Sequence, residues 1–312
     1  MKEIGGYLEM ELGPGGPGYH SDVVGLNSGR NALEYLLRLR GYDKLFLPHY
    51  HCDALIVPLK RLKIDYEFYS IDYNFEFTPF EVPQGAAILY INFFGLKDEY
   101  IAGIATQYPS LIVDNAHSFY SAPLAGVDTF YSCRKFFGVP DGAYVAATDR
   151  LQHRFPHDVS AHRYQHLVGR RDQSANEHFS FYRKVEDSFD TEEIKLMSGS
   201  TAAVMGVIDY NCALSRRRAN YVTLHAVLKQ MNRLKMPDVA AGLSYPLLAS
   251  RDIMQRLISH KIYVGTYWPN VIADMPHHTT EYDLAYNLIS LPIDQRYDAS
   301  DMAEIIKRVI ND

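Results

Sequence analysis

The stretch "SLIVDNAHSFYSAPLAGVDTFYSCRKFFGVPDGAYVAAT", residues 110–148, contains three short runs of the length of a β-strand, separated by segments rich in turn residues. The runs are residues 110–116, 128–133 and 143–148. Short apolar runs bounded by Gly, Pro and Asp are typical of strands buried in a parallel sheet. We therefore predict that this stretch contributes three strands to the sheet of an α/β domain.

The preceding sequence extends the same alternation toward the N-terminus. Residues 28–41 carry apolar side chains at helical spacing, with Ser28 as the N-cap and Gly41 as the stop. Residues 51–62 are a predicted helix that Pro58 bends. Further predicted strands are residues 44–48, 65–72 and 86–95. Strands that alternate with helices predict an α/β domain with a mostly parallel sheet.

The second half of the chain is organised differently. Residues 151–196 are rich in His, Arg and Asp, and we interpret them as an excursion from the sheet that is either mobile or at a subunit contact. Residues 200–231 are predicted as one long amphipathic helix leading to a small α+β domain, which includes a strand at 262–268. The predicted division is an N-terminal segment (1–20), a large domain (21–205) and a small C-terminal domain (206–312).

Composition excludes several functional classes. The net charge is −6 and the sequence pI is near 6.1, which disfavours a nucleic-acid-binding protein. The three cysteines form no CxxC pair, so we expect a reducing, cytoplasmic location. No apolar stretch approaches the roughly 20 residues of a membrane span, and the N-terminus does not resemble a signal peptide. The histidine spacing matches no metal site, so no metal is predicted.

Two residues of opposite charge follow neighbouring predicted strands. Asp114 ends one strand and Lys135 comes just after the next, so both are expected at the same edge of the sheet, where ligands of α/β proteins bind. One interpretation is a structural salt bridge. The other is a pyridoxal phosphate site, in which the lysine forms a Schiff base and the carboxylate keeps the pyridine nitrogen protonated. The residue types alone leave both interpretations open.

A phosphate-bearing cofactor also needs an anion site. The helix that begins in "NSGRN" directs its first backbone N–H groups toward any anion there. Gly29 permits close approach and Arg30 adds positive charge. A helix start of this composition is common and is weak evidence when taken alone.

Six segments in the same order carry a resemblance to a known family. They are "NSGRNALEYLLRL", "KLFLPHYHCDALIVPLKRLKIDYEFYSID", "LIVDNAHSF", "KFFGVPDGAYVAATD", "YVGTYWP" and "LISLPI". Together they resemble the DegT/DnrJ/StrS-type sugar aminotransferases, a fold-type-I pyridoxal phosphate family, along nearly the whole chain. The resemblance implies a three-layer α/β/α large domain with a mostly parallel sheet and a small α+β C-terminal domain.

The resemblance also implies roles for individual residues. Lys135 would be the Schiff-base lysine and proton carrier, Asp114 the partner of the pyridine nitrogen, and His117 a neighbour of the ring or its phenolic oxygen. The remaining cofactor-binding positions would be Ser28, Gly29, Arg30, Asn31, His51, Cys52 and Ser132. The family acts as a homodimer and moves an amino group, usually from glutamate, onto a keto sugar that is often attached to a nucleotide.

The sequence departs from the family pattern at three positions. Arg30 stands where the family has Thr, Cys52 where it has a ring-stacking aromatic residue, and Phe130 where it has a phosphate-binding Ser. These departures leave two alternatives to an aminotransferase. One is a family member without turnover that serves as a binding or regulatory protein. The other is a pyridoxal phosphate-dependent dehydratase; because related dehydratases have His in place of the lysine, Lys135 favours transamination.

Overall fold

A seven-stranded sheet forms the framework of the chain in a computed structural model that describes residues 4–13 and 16–310. Its strand order is β1-β7-β6-β5-β4-β2-β3. Strands β2 to β6 pair in parallel with their neighbours, whereas β7 is antiparallel to both β6 and β1. The strands are β1 (Val24–Leu26), β2 (Lys44–Pro48), β3 (Asp65–Tyr69), β4 (Ala86–Ile91), β5 (Leu111–Asp114), β6 (Asp128–Ser132) and β7 (Ala143–Ala146). The predicted α/β fold class is confirmed.

The central strands are buried because helices cover them. Every residue of β4, β5 and β6 is buried. The register places Ile91 opposite Asp114 and Asp114 opposite Phe130, so these three strands end at one edge of the sheet. The helices of the first half of the chain are α1 (Gly29–Arg40), α2 (Ile56–Leu62) and α3 (Asp98–Ala105).

Helix α1 begins and ends where its capping residues predict. The Ser28 hydroxyl accepts a hydrogen bond from the Asn31 backbone N–H at 3.2 Å. Gly41 lies in the left-handed region at φ 68°, and its N–H donates to the Leu37 carbonyl. The predicted helix over 51–62 differs in its first turn, which is a 3₁₀ turn at Asp53–Leu55 that continues into α2.

The segment 151–196 is folded onto the large sheet rather than extended from it. It contains α4 (Gln165–Asp172) and α5 (Ala175–Ser188), which pack against each other. Arg163 is almost completely buried and pairs with Asp158 at 2.6 Å and with Glu192 at 2.7 Å. Arg134, beside Lys135, pairs with Glu186 of α5. The two Arg163 pairs hold the segment together internally, and the Arg134–Glu186 pair attaches it to the edge of the sheet that carries Lys135.

Two predictions for the second half of the chain are wrong. The helix predicted over 200–231 is divided into α6 (Gly199–Gly206) and α7 (Tyr210–Leu228), because Asp209 accepts the Cys212 N–H and caps a new helix. The strand predicted at 262–268 is an irregular segment, because its aromatic side chains pack against the end of the large sheet instead of pairing with another strand.

A second, two-stranded antiparallel sheet lies near the C-terminus. It consists of β8 (Tyr245–Leu248) and β9 (Leu288–Leu291). The helices around it are α8 (Asp252–Ser259), α9 (Pro269–Asp274), α10 (Thr280–Asn287) and α11 (Ala299–Ile310). The division at residues 20/21 and 205/206 stays a prediction; the second boundary falls at the end of α6. None of the helices described is long and apolar enough to cross a membrane.

Candidate active site

Asp114 is a buried carboxyl group at the end of β5. Its side chain is buried, and Oδ1 accepts a hydrogen bond from the Ala116 backbone N–H at 2.8 Å. Burial raises the pKa of Asp114 to about 6, although the positive charge of Lys135 and the Ala116 N–H act in the opposite direction. A buried carboxyl group of this kind gains stability in its ionised form when a cation comes to it, as a protonated pyridine nitrogen would.

Lys135 follows β6 in a short 3₁₀ turn, Cys133–Lys135. Its side chain is exposed, so its positive charge carries no desolvation penalty. Its Nζ lies 3.0 Å from Nε2 of His117. No ion pair within 4.0 Å joins Lys135 to Asp114 in the structure of residues 16–310, so the salt-bridge interpretation is not supported. The amine is therefore held beside a histidine and remains accessible from solvent.

His117 is a neutral histidine with one free ring nitrogen. Its side chain is almost fully buried, and burial together with the Lys135 charge lowers the pKa of His117 well below its usual value. Because the Lys135 ammonium donates to Nε2, the ring proton is assigned to Nδ1 from this hydrogen bond. Nδ1 has no hydrogen-bond partner among the described residues. The site thus offers one unused donor beside the amine.

Aromatic side chains enclose the His117 ring. Trp268 stacks on it with 5.6 Å between centroids and 23° between planes, and Phe94 and Tyr267 each lie 5.3 Å away. Tyr50 meets the edge of Trp268 at 4.9 Å. Phe94 was not predicted as a site residue. Tyr267 and Trp268 reach the end of β5 only through the tertiary fold, so local sequence rules do not identify them.

His51 and Cys52, which the resemblance places among the cofactor-binding positions, lie outside this enclosure or at its border. The His51 ring stacks on Phe68 at 4.9 Å, and its Nδ1 bonds the His49 carbonyl at 3.0 Å. This ring makes no contact with the His117 ring in the described part of the chain, so His51 is not brought into the aromatic enclosure. Cys52 is half-buried and lies close enough to Tyr267 to affect the pKa of that phenol.

The start of α1 lies beside the end of β6. A Cβ atom added at Gly29 would be 4.0 Å from Ser132 Cβ. The Asn31 amide donates to Asn27 Oδ1 at 2.9 Å and to the Glu193 carbonyl at 2.7 Å, so this side chain is fully engaged. Arg30 Nε pairs with Asp190 Oδ1 at 2.7 Å.

The groups left for an anion are therefore few. They are the backbone N–H groups of Gly29 and Arg30 at the start of α1 and the hydroxyl of the buried Ser132, for which the described chain provides no hydrogen bond. A buried acid, an accessible amine, a neutral histidine with a free N–H and this helix start fit the parts of pyridoxal phosphate. By contrast, no group of three or more His, Cys, Asp or Glu side chains in residues 4–13 and 16–310 could hold a metal ion.

Comparison with known proteins supports the same fold. No protein-family model matches the sequence, and no curated protein matches it. Solved structures do match. DesV from S. venezuelae, in complex with a ketimine intermediate, has a TM-score of 0.66 at 16% identity, over 92% of this chain and 83% of its own. The chain has the fold of the sugar aminotransferases. The resemblance found in the sequence is confirmed at the level of the fold.

Two further structures are similar over the same extent. A DegT DnrJ EryC1 StrS aminotransferase from Brucella abortus has a TM-score of 0.62 at 16% identity, over 93% of this chain and 85% of its own. DesI, in the presence of its TDP-sugar product, has a TM-score of 0.63 at 14% identity, over 92% of this chain and 79% of its own. The likeness therefore extends over nearly the whole chain.

Proposed function

We propose that the protein is a pyridoxal phosphate-dependent aminotransferase that acts on a keto sugar, with glutamate as the amino donor. The observation that carries the proposal is the accessible Lys135 amine, held 3.0 Å from a neutral histidine at the same strand edge as the buried Asp114. This arrangement occurs in a chain with the sugar aminotransferase fold. Each residue has a chemical task in such a reaction.

Asp114 would face the pyridine nitrogen. When bound, the cofactor supplies an electron sink for the substrate carbon, and this requires a protonated ring nitrogen. An ionised Asp114 stabilises that proton, and its burial makes the pairing stronger than it would be in water. His117 can donate its free Nδ1–H to an oxygen acceptor on the ring.

Lys135 would perform the nucleophilic and proton-transfer steps. An amine reacts with an aldehyde only in its neutral form, so it must first lose a proton. The neighbouring His117 Nε2 accepts a hydrogen bond from the amine and fixes its direction. With the cofactor bound, the Lys135 amine would be placed to take a proton from the substrate carbon and to return one.

The substrate class rests on the structural neighbours. The structure of DesI was determined in the presence of its TDP-sugar product. By analogy, we propose a nucleotide-linked keto sugar as the substrate of this chain. A homodimer is part of the proposal, since the sequence resembles a family that functions as one. A second candidate is a family member without turnover. It is favoured by the start of α1, where the Arg30 and Asn31 side chains are engaged with protein groups instead of being free for a phosphate.

A half-reaction separates the two candidates. The purified protein is loaded with pyridoxal phosphate, glutamate is added, and 2-oxoglutarate and the cofactor absorbance are measured. An aminotransferase releases one equivalent of 2-oxoglutarate per site, and a TDP-linked keto sugar then restores the original spectrum. A protein that binds the cofactor but converts neither glutamate nor other amino donors is a binding protein. No binding at all would refute both candidates.

A further inference from the structure

Asn92 occupies the position just beyond β4 and is completely buried. Its side-chain Nδ2 donates to Asn115 Oδ1 at 2.9 Å and to Asp98 Oδ1 at 2.7 Å. Its Oδ1 accepts the Lys97 backbone N–H at 3.0 Å. Its own backbone N–H donates to the Asp114 carbonyl at 3.0 Å. Its backbone carbonyl accepts the Gly95 N–H at 3.1 Å, so all four polar functions of this residue are used in the interior.

The residue on the other side of this contact begins a tight turn. The Asn115 carbonyl accepts the Ser118 N–H at 2.9 Å, and the Asn115 N–H donates to the Phe130 carbonyl at 2.8 Å. Between them lie Ala116, whose N–H bonds the Asp114 carboxylate, and His117, whose Nε2 accepts from the Lys135 amine. The turn Asn115–Ser118 thus provides both the N–H that contacts the Asp114 carboxylate and the ring that contacts the Lys135 amine. Asn92 connects this turn to the end of β4.

We propose that Asn92 is a positioning residue that, by holding Asn115, keeps the Ala116 N–H on the Asp114 carboxylate and His117 on the Lys135 amine. Asn92 itself touches neither reacting group; it acts through the turn Asn115–Ser118. The part of this claim that concerns cofactor binding rests on the proposed function. The part that concerns Asp114 does not, because the Ala116 contact exists without a ligand.

The consequence is a change in the pH dependence of the site. The Ala116 N–H stabilises the ionised form of Asp114, so loosening the turn raises the pKa of this carboxyl further. The other titratable groups that face it are Lys135, from the turn after β6, and His117, from its own turn. The end of β4 presents the neutral Asn92, with Asp98 behind it. A higher pKa shifts the acid limit of cofactor binding to higher pH.

The test compares Asn92→Ala with Ser121→Ala. The Ser121 hydroxyl donates to the same Asp98 carboxylate as Asn92 does. Its removal weakens the hydrogen bonding of Asp98 but leaves the Asn92–Asn115 bond intact. Pyridoxal phosphate affinity is measured by fluorescence titration across the pH range. We expect the acid midpoint of Asn92→Ala to move upward by about half to one pH unit, the worth of one hydrogen bond. Ser121→Ala should keep the wild-type midpoint.

A second readout needs no cofactor. The pKa of Asp114 is followed by carbon-13 NMR of labelled aspartate carboxyls, with the signal assigned by its loss in Asp114→Asn. Asn92→Ala should raise this pKa, and Asn115→Ala, which breaks the same bond from the other side, should do the same if Asn92→Ala does not fold. An unchanged pKa in both variants would overturn the proposal and leave Asn92 a structural residue. If the wild type binds no cofactor, the proposed function is refuted. The NMR result still decides whether Asn92 positions the turn beside Asp114.

Discussion

The two ends of the candidate site differ in how the protein satisfies their polar groups. At the catalytic end, His117 Nδ1 has no partner in the described chain, and the Lys135 amine is exposed with one contact. At the anion end, the Arg30 and Asn31 side chains are bound to Asp190, Asn27 and Glu193. Under the proposed function, side chains at one end would perform the chemistry, and backbone N–H groups and Ser132 at the other end would bind the anion.

This difference between the two ends indicates which departures from the family sequence pattern affect function. Arg30, which replaces the family's Thr, is occupied by an acid and need not contribute to the phosphate. A helix start binds an anion through N–H groups that almost any residue provides. Substitutions at the catalytic end should therefore have large effects. At the anion end, Ser132→Ala should have an intermediate effect and substitution of Arg30 a small one.

The largest effect is expected at Lys135. Lys135→Ala removes both the nucleophile and the proton carrier, so the half-reaction with glutamate should slow by at least about 10³-fold. Stopped-flow absorbance of the loaded protein measures it. Lys44→Ala, which removes an exposed lysine paired with Glu67, is the control and should keep the wild-type rate. Equal rates in the two variants would remove Lys135 from the reaction.

Asp114→Asn should stabilise the cofactor-free protein above pH 6. The pKa of Asp114 is 3.8 in the unfolded chain and about 6 in the native state. As pH rises through this window the unfolded chain ionises first, so the free energy of unfolding falls. Asn avoids that cost, which corresponds to about 3 kcal/mol for a shift of roughly two units. Urea unfolding at a series of pH values measures the gain, which should vanish near pH 4. A gain independent of pH would contradict the burial account.

Ser132→Ala should weaken pyridoxal phosphate binding by about tenfold, the worth of a hydrogen bond to a charged acceptor. Pyridoxal, which lacks the phosphate, provides the control, since its affinity should not change. Fluorescence titration with both ligands measures the ratio. If the two affinities fall together, Ser132 acts elsewhere than at the phosphate.

Arg30→Ala should have the smallest effect, within about twofold on cofactor affinity, because its guanidinium is already paired with Asp190. Asp190→Ala releases the Arg30 guanidinium and serves as the counterpart. Tighter binding in Asp190→Ala would show that Arg30 can reach the phosphate once it is free. A tenfold loss in Arg30→Ala would contradict the division between the two ends.

The placement of Asp114 and Lys135 at one edge of the sheet could be predicted from sequence because it depends on local rules. Parallel strands end at one edge, and each of these residues ends or directly follows a strand. Ser28 and Gly41 fixed helix α1 through capping, which is equally local. Phe94, Trp268 and Asn92 could not be found this way, because their positions depend on packing between distant parts of the chain. The wrong strand at 262–268 has the same origin.

The most direct test of the account is chemical. The protein is mixed with pyridoxal phosphate, reduced with borohydride, digested and mapped by mass spectrometry. The account predicts a phosphopyridoxyl group on Lys135 and its loss from that peptide in Lys135→Ala. Modification of another lysine, or of none, would contradict the assignment of Lys135 as the residue that holds the cofactor.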